Sequence, residues 1–248
     1  MSNVLRLSDL VRSIVPRGVQ RRLRPTSLPG PGRVDFGDFR RTSPISRHFG
    51  FERGLPIDRF YIERFLTANA ADIRGHVLEI GDPGYTRRFG AARVTRSDVL
   101  HVAAEAPEAT IIGDLTSAEH IPSDAFDCIV LTQTLQLIYD VAAAVATIHR
   151  ILAPGGVVLA TVPGISQIER DQWRDTWFWS FTVPAARRRF EERFAAADVR
   201  VEASGNVLTA VAFLEGLAAH ELREDELLAV DEAYPVCVAI RAVKGGAR

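Results

Sequence analysis

The sequence contains few of the residues that mark several protein classes. Lys244 is the only lysine among 30 basic side chains, and the formal net charge is −1. A chain without excess charge gives no electrostatic reason to expect nucleic acid as a partner. Cys128 and Cys237 are the only cysteines, and both lie in apolar runs. We therefore expect small core residues in a reducing cytoplasm, without a disulfide framework or a cysteine metal site.

Long apolar segments are also missing. No run approaches the roughly 18 apolar residues of a membrane-spanning helix. The N-terminus lacks the continuous apolar region of a signal peptide. At 248 residues, of which 47% are hydrophobic, the chain can bury one core with extensions. We therefore expect one main domain without a transmembrane segment, and no ligand set in the sequence suggests a metal.

The first 50 residues differ from the rest in their charge. They contain ten arginines against three aspartates, which gives a net charge of +7 from 10 − 3. Apolar residues recur at helical spacing over residues 4–14, and residues 25–32 are rich in proline and glycine. We expect a basic arm and linker over residues 1–50 and the main domain over residues 51–248. The arm is interpreted as a loosely packed extension, with contact to an anionic surface or a partner as the alternative.

The stretch Val77–Gly84 is the most informative part of the chain. Its apolar run ends at Glu79 and breaks at Gly81. In a doubly wound α/β domain, a first strand enters a nucleotide-binding turn in this way, because glycine lets the backbone approach a ligand and adopt positive φ. A helix over residues 56–66 is predicted just before this strand.

Strand and helix patterns alternate after this turn. Strands are predicted at residues 93–97, 109–112, 126–131, 157–162, 199–201 and 236–242, and helical patterns at residues 141–151, 185–197 and 207–228. Such alternation is typical of a parallel sheet with crossover helices. The predicted fold class is therefore α/β, with a doubly wound, Rossmann-like sheet and helices on both faces.

Acidic residues follow two of the predicted strands. Asp98, nineteen positions after Glu79, has the type and spacing of a residue that accepts hydrogen bonds from both hydroxyls of a ribose. Asp114 could accept from an adenine amine, with Leu115 against the ring face. The alternative for each acid is a turn former or a helix cap. Their joint occurrence at successive strand ends favours ligand binding.

Two further groups are candidates for contacts with a substrate. Trp173, Trp177 and Trp179 are all the tryptophans of the chain, and they line either a substrate pocket or a satellite core. Tyr139 and Asp140 follow the fourth predicted strand and are candidates for the catalytic site. The alternative for Asp140 is a cap on the helix that follows.

These segments together resemble the class I S-adenosylmethionine-dependent methyltransferases of the small-molecule type. The resemblance covers roughly residues 55–242 and is carried by the turn at 77–84, Asp98, residues 113–115 and 126–135, and by Leu152-Ala153-Pro154-Gly155-Gly156 before a strand. It implies a seven-stranded, mostly parallel sheet with the last strand inserted antiparallel, and S-adenosylmethionine as cofactor. By the same resemblance, Glu79, Gly81 and Gly84 would border the methionine part of the cofactor, Asp98 its ribose, Asp114 and Leu115 its adenine, and Gln133 its sulfonium end.

The turn departs from the glycine-rich pattern of that family at two positions. Pro83 removes an N–H donor, and Tyr85 adds bulk where glycine is usual. Residues 53–59 followed by this turn also resemble methyltransferase-like proteins of bacterial surface-polysaccharide and sugar-modifying pathways.

Two functions of different classes follow from this resemblance. We expect O-methylation of a sugar or another small-molecule hydroxyl. The alternative is a non-catalytic methyltransferase-fold module that binds a ligand or a partner. A nicotinamide-dependent dehydrogenase is weaker, because it explains neither residues 154–156 nor Asp114.

Overall fold

The structure is a computed structural model that describes residues 28–246. The described residues fall into two units, 28–41 and 42–246. In the first unit, the described residues 28–41 include a 3-10 turn at Gly37–Phe39. The remainder of the predicted arm, with the helix expected over residues 4–14, lies outside the described residues. Residues 42–50, which the sequence assigns to the arm, pack within the larger unit, where the Ser46 N–H donates to the Glu215 carbonyl at 3.0 Å.

The larger unit is built on a seven-stranded sheet in the order β3-β2-β1-β4-β5-β7-β6. Its strands are β1 (Gly75–Ile80), β2 (Val94–His101), β3 (Ile111–Ile112), β4 (Phe126–Thr132), β5 (Leu152–Pro163), β6 (Val199–Ser204) and β7 (Cys237–Val243). Strands β1 to β5 pair in parallel, and β7 is inserted antiparallel between β5 and β6. The predicted fold class is confirmed.

Helices cover both faces of the sheet. They are α1 (Ile57–Ala68), α2 (Val141–Ile151), α3 (Val183–Glu191), α4 (Val207–Leu214) and α5 (Glu224–Leu228). The helix predicted over residues 141–151 is confirmed to the residue. No helix within residues 28–246 has the length and apolar character needed to cross a membrane.

The alternation of side chains along each strand produces two cores. Leu78 and Ile129 face a core with α2 and α3, whereas their neighbours Val77 and Val130 face a second core with α1 and α4. Cys128 and Cys237 lie buried and unpaired in the second core, so the prediction that both are core residues is confirmed.

Several local expectations differ from the structure. The helix predicted over residues 185–197 ends at Glu191, and the pattern over residues 207–228 is divided into α4 and α5 by a 3-10 turn at Ala219–Glu221. Strand β2 does not stop before Asp98 but continues to His101, because Leu100 and His101 pair with β3. The segment at residues 154–156 does not precede β5 but bulges within it. Phe126 pairs with Leu152, and Cys128 pairs with Val157. The two strands therefore advance by two residues in β4 and by five residues in β5 between these pairs, which is a bulge in β5.

Candidate active site

The carboxyl edge of the sheet opens at Gly81, directly after β1. Gly81 has a φ of +97°, and a Cβ placed there would meet no atom within 4 Å. Its N–H donates to the Leu100 carbonyl at 3.0 Å, which holds the turn against β2. The backbone at Gly81 therefore carries no side chain, is held by a hydrogen bond, and has open space in which a ligand could lie.

Glu79 supports this turn from inside the sheet. Its side chain is 2% exposed, and its carboxylate accepts hydrogen bonds from the N–H groups of Tyr85 at 3.1 Å and Thr86 at 2.7 Å. Burial raises the pKa of Glu79 to about 7, against the lowering effect of these hydrogen bonds. The Glu79 carboxylate thus stabilises the turn through two hydrogen bonds. With a pKa of about 7, it is partly protonated at neutral pH.

Pro83 and Tyr85 leave the space over Gly81 open. The Tyr85 ring packs on Phe89 at 5.9 Å between centroids, and its hydroxyl accepts a hydrogen bond from Arg59 at 3.4 Å. Pro83 is buried. Gly84 lies in a tight turn in which its N–H donates to the Asp82 carboxylate at 2.8 Å. The bulk of Tyr85 is therefore directed towards α1, away from the space over Gly81.

Asp98 lies inside the sheet, three residues before the end of β2. It is 6% exposed and accepts hydrogen bonds from His76 at 2.6 Å and from the Thr110 hydroxyl at 2.9 Å, and Arg96 is 3.0 Å away. Burial alone would raise the pKa of Asp98, but these partners lower it below its ordinary value. The expectation that the strand stops at Asp98 is wrong, because β2 continues for three more residues. The contact between Asp98 and a ribose stays a prediction, and the position of Asp98 inside the sheet argues against it.

Asp114 and Leu115 follow β3 but differ in exposure. The exposed Asp114 carboxylate accepts from the Thr116 N–H and from the Thr116 hydroxyl, both at 2.8 Å. This is the turn-forming role that the sequence left open as the alternative. Leu115 is buried in the core shared with α2. Their contacts with an adenine stay predictions.

Gln133 lies directly after β4 in a strained conformation, with a φ of +47°. Its backbone N–H donates to the Thr161 carbonyl and its carbonyl accepts from Gln136, both at 2.8 Å. Its side-chain Nε2 and the Gln136 Oε1 are buried without a hydrogen-bond partner among the residues described. Unpaired buried polar atoms are rare in folded proteins, so this pair of side chains is a candidate for contact with a ligand.

A cavity of about 720 Å³ begins beside Gln133 and extends over the ends of β4 and β5. Trp173 and Trp177 line it, together with residues of the segment before α1. Trp179 does not line it but stacks on Tyr139 at 5.8 Å and donates to the Ile138 carbonyl. The structure thus brings two of the three predicted tryptophans to the cavity.

Neither predicted catalytic candidate lies in this cavity. Tyr139 is 71% exposed and packs against Phe178 and Trp179. The Asp140 carboxylate accepts from the Ala143 N–H at 2.9 Å and caps α2. The capping alternative for Asp140 is therefore confirmed, and the catalytic roles of Tyr139 and Asp140 stay predictions.

Asp58, which is not among the residues predicted for the site, lines the cavity from the first turn of α1. Asp58 is 9% exposed and accepts from the Arg59 N–H at 2.8 Å. Burial raises the pKa of Asp58, and the charge of Arg59 opposes that rise. The sequence gives no distinct signal for Asp58, because α1 also contains the charged residues Glu63 and Arg64.

A loop after β5 forms another wall of the cavity and is organised by Glu169. The Glu169 carboxylate accepts from the N–H groups of Asp171 at 2.9 Å, Gln172 at 2.8 Å and Trp173 at 2.7 Å. These hydrogen bonds, with that of Trp173 the largest, lower the pKa of Glu169. The loop therefore holds Trp173 at the cavity through its own carboxylate.

Comparison with known proteins identifies the family of this chain. A protein-family model described as a methyltransferase domain matches residues 50–201. No curated protein matches the sequence.

Three solved structures share the fold at low identity. A SAM-dependent methyltransferase from Archaeoglobus fulgidus is 14% identical with a TM-score of 0.53, and the match covers 80% of this chain and 100% of that one. A methyltransferase from Mesorhizobium loti, described as S-adenosylmethionine dependent, is 17% identical, with coverages of 76% and 98% and a TM-score of 0.50. Phosphoethanolamine N-methyltransferase 2 from Haemonchus contortus, in complex with S-adenosyl-L-methionine, is 16% identical, with coverages of 86% and 61% and a TM-score of 0.51.

Proposed function

Because the chain belongs to the methyltransferase-domain family, we propose that it transfers a methyl group from S-adenosylmethionine to a hydroxyl of a sugar or another small molecule. S-adenosylmethionine is the cofactor named for three of the solved structures that share its fold. The observation that carries the proposal is a buried carboxylate, Asp58, in the cavity that adjoins the carboxyl edge of the sheet.

The residues at this edge fit the cofactor. Gly81 provides open backbone, and Gln133 and Gln136 provide buried polar atoms that have no partner among residues 28–246. Glu79 and Gly84 would border the methionine part of the cofactor, and Gln133 its sulfonium end. Asp114 and Leu115 would meet the adenine at the end of β3.

The ribose would meet His101 rather than Asp98. His101 ends β2, and the hydrogen bond from Gly81 to Leu100 brings that end level with the turn. The ring Nδ1 of His101 accepts from the Ala103 N–H, which leaves Nε2 for a ligand. Asp98 is engaged by three partners further inside the sheet.

The cavity fits a small acceptor with hydroxyl groups. Its volume of about 720 Å³ lies within the range of small-molecule sites. Trp173 and Trp177 provide flat apolar faces against which a sugar ring can pack, and Gln136 provides a polar contact. The mixture of aromatic and polar walls supports a sugar more than a purely apolar substrate.

Asp58 would act as the general base. When bound, S-adenosylmethionine supplies an electrophilic methyl group and leaves as S-adenosylhomocysteine. The Asp58 carboxylate would accept the proton of the acceptor hydroxyl as the oxygen forms its bond to the methyl carbon. The raised pKa of Asp58 makes it a better proton acceptor than an exposed carboxylate. The cavity walls would hold the hydroxyl in line for the displacement.

The alternative, a non-catalytic module, is less well supported. It was motivated by Pro83 and Tyr85 in the turn and by the lack of a base in the sequence. Tyr85 packs away from the space over Gly81, and Asp58 supplies a candidate base.

Activity is tested by incubating the protein with S-adenosylmethionine and a panel of sugars, and measuring S-adenosylhomocysteine by mass spectrometry. With an active acceptor, Asp58→Asn should lower kcat by roughly 10²–10⁴-fold and remove the rise of the rate with pH. The exposed Asp175, which does not line the cavity, gives the matched control Asp175→Asn. A protein that binds the cofactor but transfers no methyl group to any acceptor would contradict the proposed methyl transfer and would favour the non-catalytic module.

A further inference from the structure

Four arginines from separate segments converge on the same cavity. Arg47 lies before α1, Arg59 in α1, and Arg170 and Arg174 in the loop after β5. Among the ion pairs of the described residues, none involves Arg47, Arg170 or Arg174. Three guanidinium groups at one cavity, without a carboxylate partner in residues 28–246, form a site for an anion.

The lining holds four arginines against three carboxylates, Asp58, Glu169 and Asp171, which leaves a formal charge of +1 from 4 − 3. Both oxygens of Glu169 are used by the N–H groups of its own loop. The charge of Asp58 is offset by its neighbour Arg59, whose guanidinium Nε lies 4.0 Å from the Asp58 carboxylate. Asp171 is the remaining carboxylate of the lining. Among the described residues, Asp171 is thus the lining carboxylate without a hydrogen bond or an ion pair, and it shares the cavity with Arg47, Arg170, Arg174 and His48.

An aromatic wall adjoins these arginines. Trp177 stacks on Phe49 with ring centroids 6.4 Å apart and an interplanar angle of 16°, and Phe49 packs on Phe213 at 6.0 Å. All three rings line the cavity. The cavity therefore offers flat apolar surface for a ring beside donors for an anion, a combination that suits a ring bearing a charged substituent.

We propose that the methyl acceptor is a phosphate ester of a sugar, and that Arg47, Arg170 and Arg174 bind its phosphate. This inference rests on the proposed function for the identity of the reaction, but the anion site stands on its own geometry. Phosphate is favoured over a carboxylate because its larger negative charge and its additional oxygens can engage three guanidinium groups. The ester is either a simple sugar phosphate or a sugar linked to a nucleotide through its phosphates.

The test is calorimetric titration with four probes: glucose, glucose 1-phosphate, uridine diphosphate-glucose and inorganic phosphate. Each titration is made with the full chain, with and without saturating S-adenosylhomocysteine. We expect glucose 1-phosphate to bind at least about tenfold more tightly than glucose, since one hydrogen bond to a charged group is worth that much. Tighter binding of uridine diphosphate-glucose than of glucose 1-phosphate identifies the nucleotide-linked ester, and the reverse identifies the simple one.

Substitutions locate the bound probe. Arg170→Ala and Arg174→Ala should each weaken glucose 1-phosphate binding about tenfold, with an unchanged thermal midpoint. Arg188→Ala is the matched control, because Arg188 is exposed on α3 away from the cavity. Arg170→Lys and Arg174→Lys, which keep the charge, serve if an alanine variant does not fold, and they should lose part of the affinity.

Three results would overturn the anion site. They are equal affinity for glucose and glucose 1-phosphate, equal weakening in Arg188→Ala, and competition between phosphate probes and S-adenosylhomocysteine. Competition would mean that the arginines serve the cofactor. If S-adenosylhomocysteine does not bind at all, the proposed function fails, whereas the titrations without it still decide the anion site.

Discussion

Asp98 connects neighbouring strands through its side chain. Its partners are His76 on β1 and Thr110 before β3, and removing the charge weakens both hydrogen bonds. We expect Asp98→Asn to lower the free energy of unfolding by about 1–3 kcal/mol, measured by urea denaturation. Its affinity for S-adenosylhomocysteine should stay unchanged.

His101→Ala is the companion variant that tests the ribose contact. It should weaken S-adenosylhomocysteine binding at an unchanged free energy of unfolding. The opposite pattern, with affinity lost in Asp98→Asn and kept in His101→Ala, would restore Asp98 to the ribose.

Glu79 couples stability to pH. The pKa of this carboxyl is raised to about 7 in the folded protein, above the value of about 4.3 in an unfolded chain. The folded state therefore binds more protons between these values, and the contribution of Glu79 to stability falls as pH rises through that window. The full effect is on the order of 4 kcal/mol at most.

Glu79→Gln removes this titration. We expect the difference in unfolding free energy between wild type and Glu79→Gln to change steadily from pH 5 to pH 7.5, in the direction that favours wild type at the acid end. A difference independent of pH would show that Glu79 has an ordinary pKa.

At the level of elements, the N-terminus of α2 depends on Asp140. Its carboxylate accepts from the Ala143 N–H at 2.9 Å, and the helix supplies much of one core. Asp140→Ala should lower the free energy of unfolding by about 1 kcal/mol, and Asp140→Ser should restore most of it. A loss of methyl transfer in the serine variant, at unchanged stability, would contradict a purely capping role.

The loop after β5 depends on Glu169 in a different way. Because its carboxylate satisfies three N–H groups, Glu169→Ala should release the segment that carries Trp173 and weaken glucose 1-phosphate binding. The global thermal midpoint should change little, since the loop is mostly exposed. Tryptophan fluorescence and calorimetry measure both effects. A large drop in the thermal midpoint with unchanged glucose 1-phosphate binding would show instead that Glu169 stabilises the whole fold and not the binding loop.

The sequence predicted helices and strands correctly where the apolar residues follow one regular spacing. Helix α2 and strand β4 follow from their apolar spacing. The end of β2 was missed, because the pairing of Leu100 with Ile111 and the contact of Asp98 with His76 are made between distant residues. The segment at 154–156 has the composition of a turn, and only its pairing with β4 and its hydrogen bond from Gly155 to Lys244 make it a bulge.

At the scale of the whole molecule, the sheet order follows from the alternation of strands and helices, but the cavity does not. Asp58, Gln133 and Trp173 are separated by tens of residues and meet only at the carboxyl edge. The cofactor turn was visible in the sequence because its residues are contiguous. The acceptor side was visible only as a cluster of tryptophans, and the sequence did not pair that cluster with Asp58 or with the arginines.

The most direct test of the account is calorimetric titration of the folded protein with S-adenosylmethionine and S-adenosylhomocysteine. We predict micromolar binding of both by wild type and at least about tenfold weaker binding by Gly81→Val, whose side chain would fill the open space after β1. Gly32→Val is the matched control, because Gly32 also has a positive φ and open space but lies in residues 28–41. Folded wild-type protein that binds neither compound would contradict the assignment of this chain as a working methyltransferase.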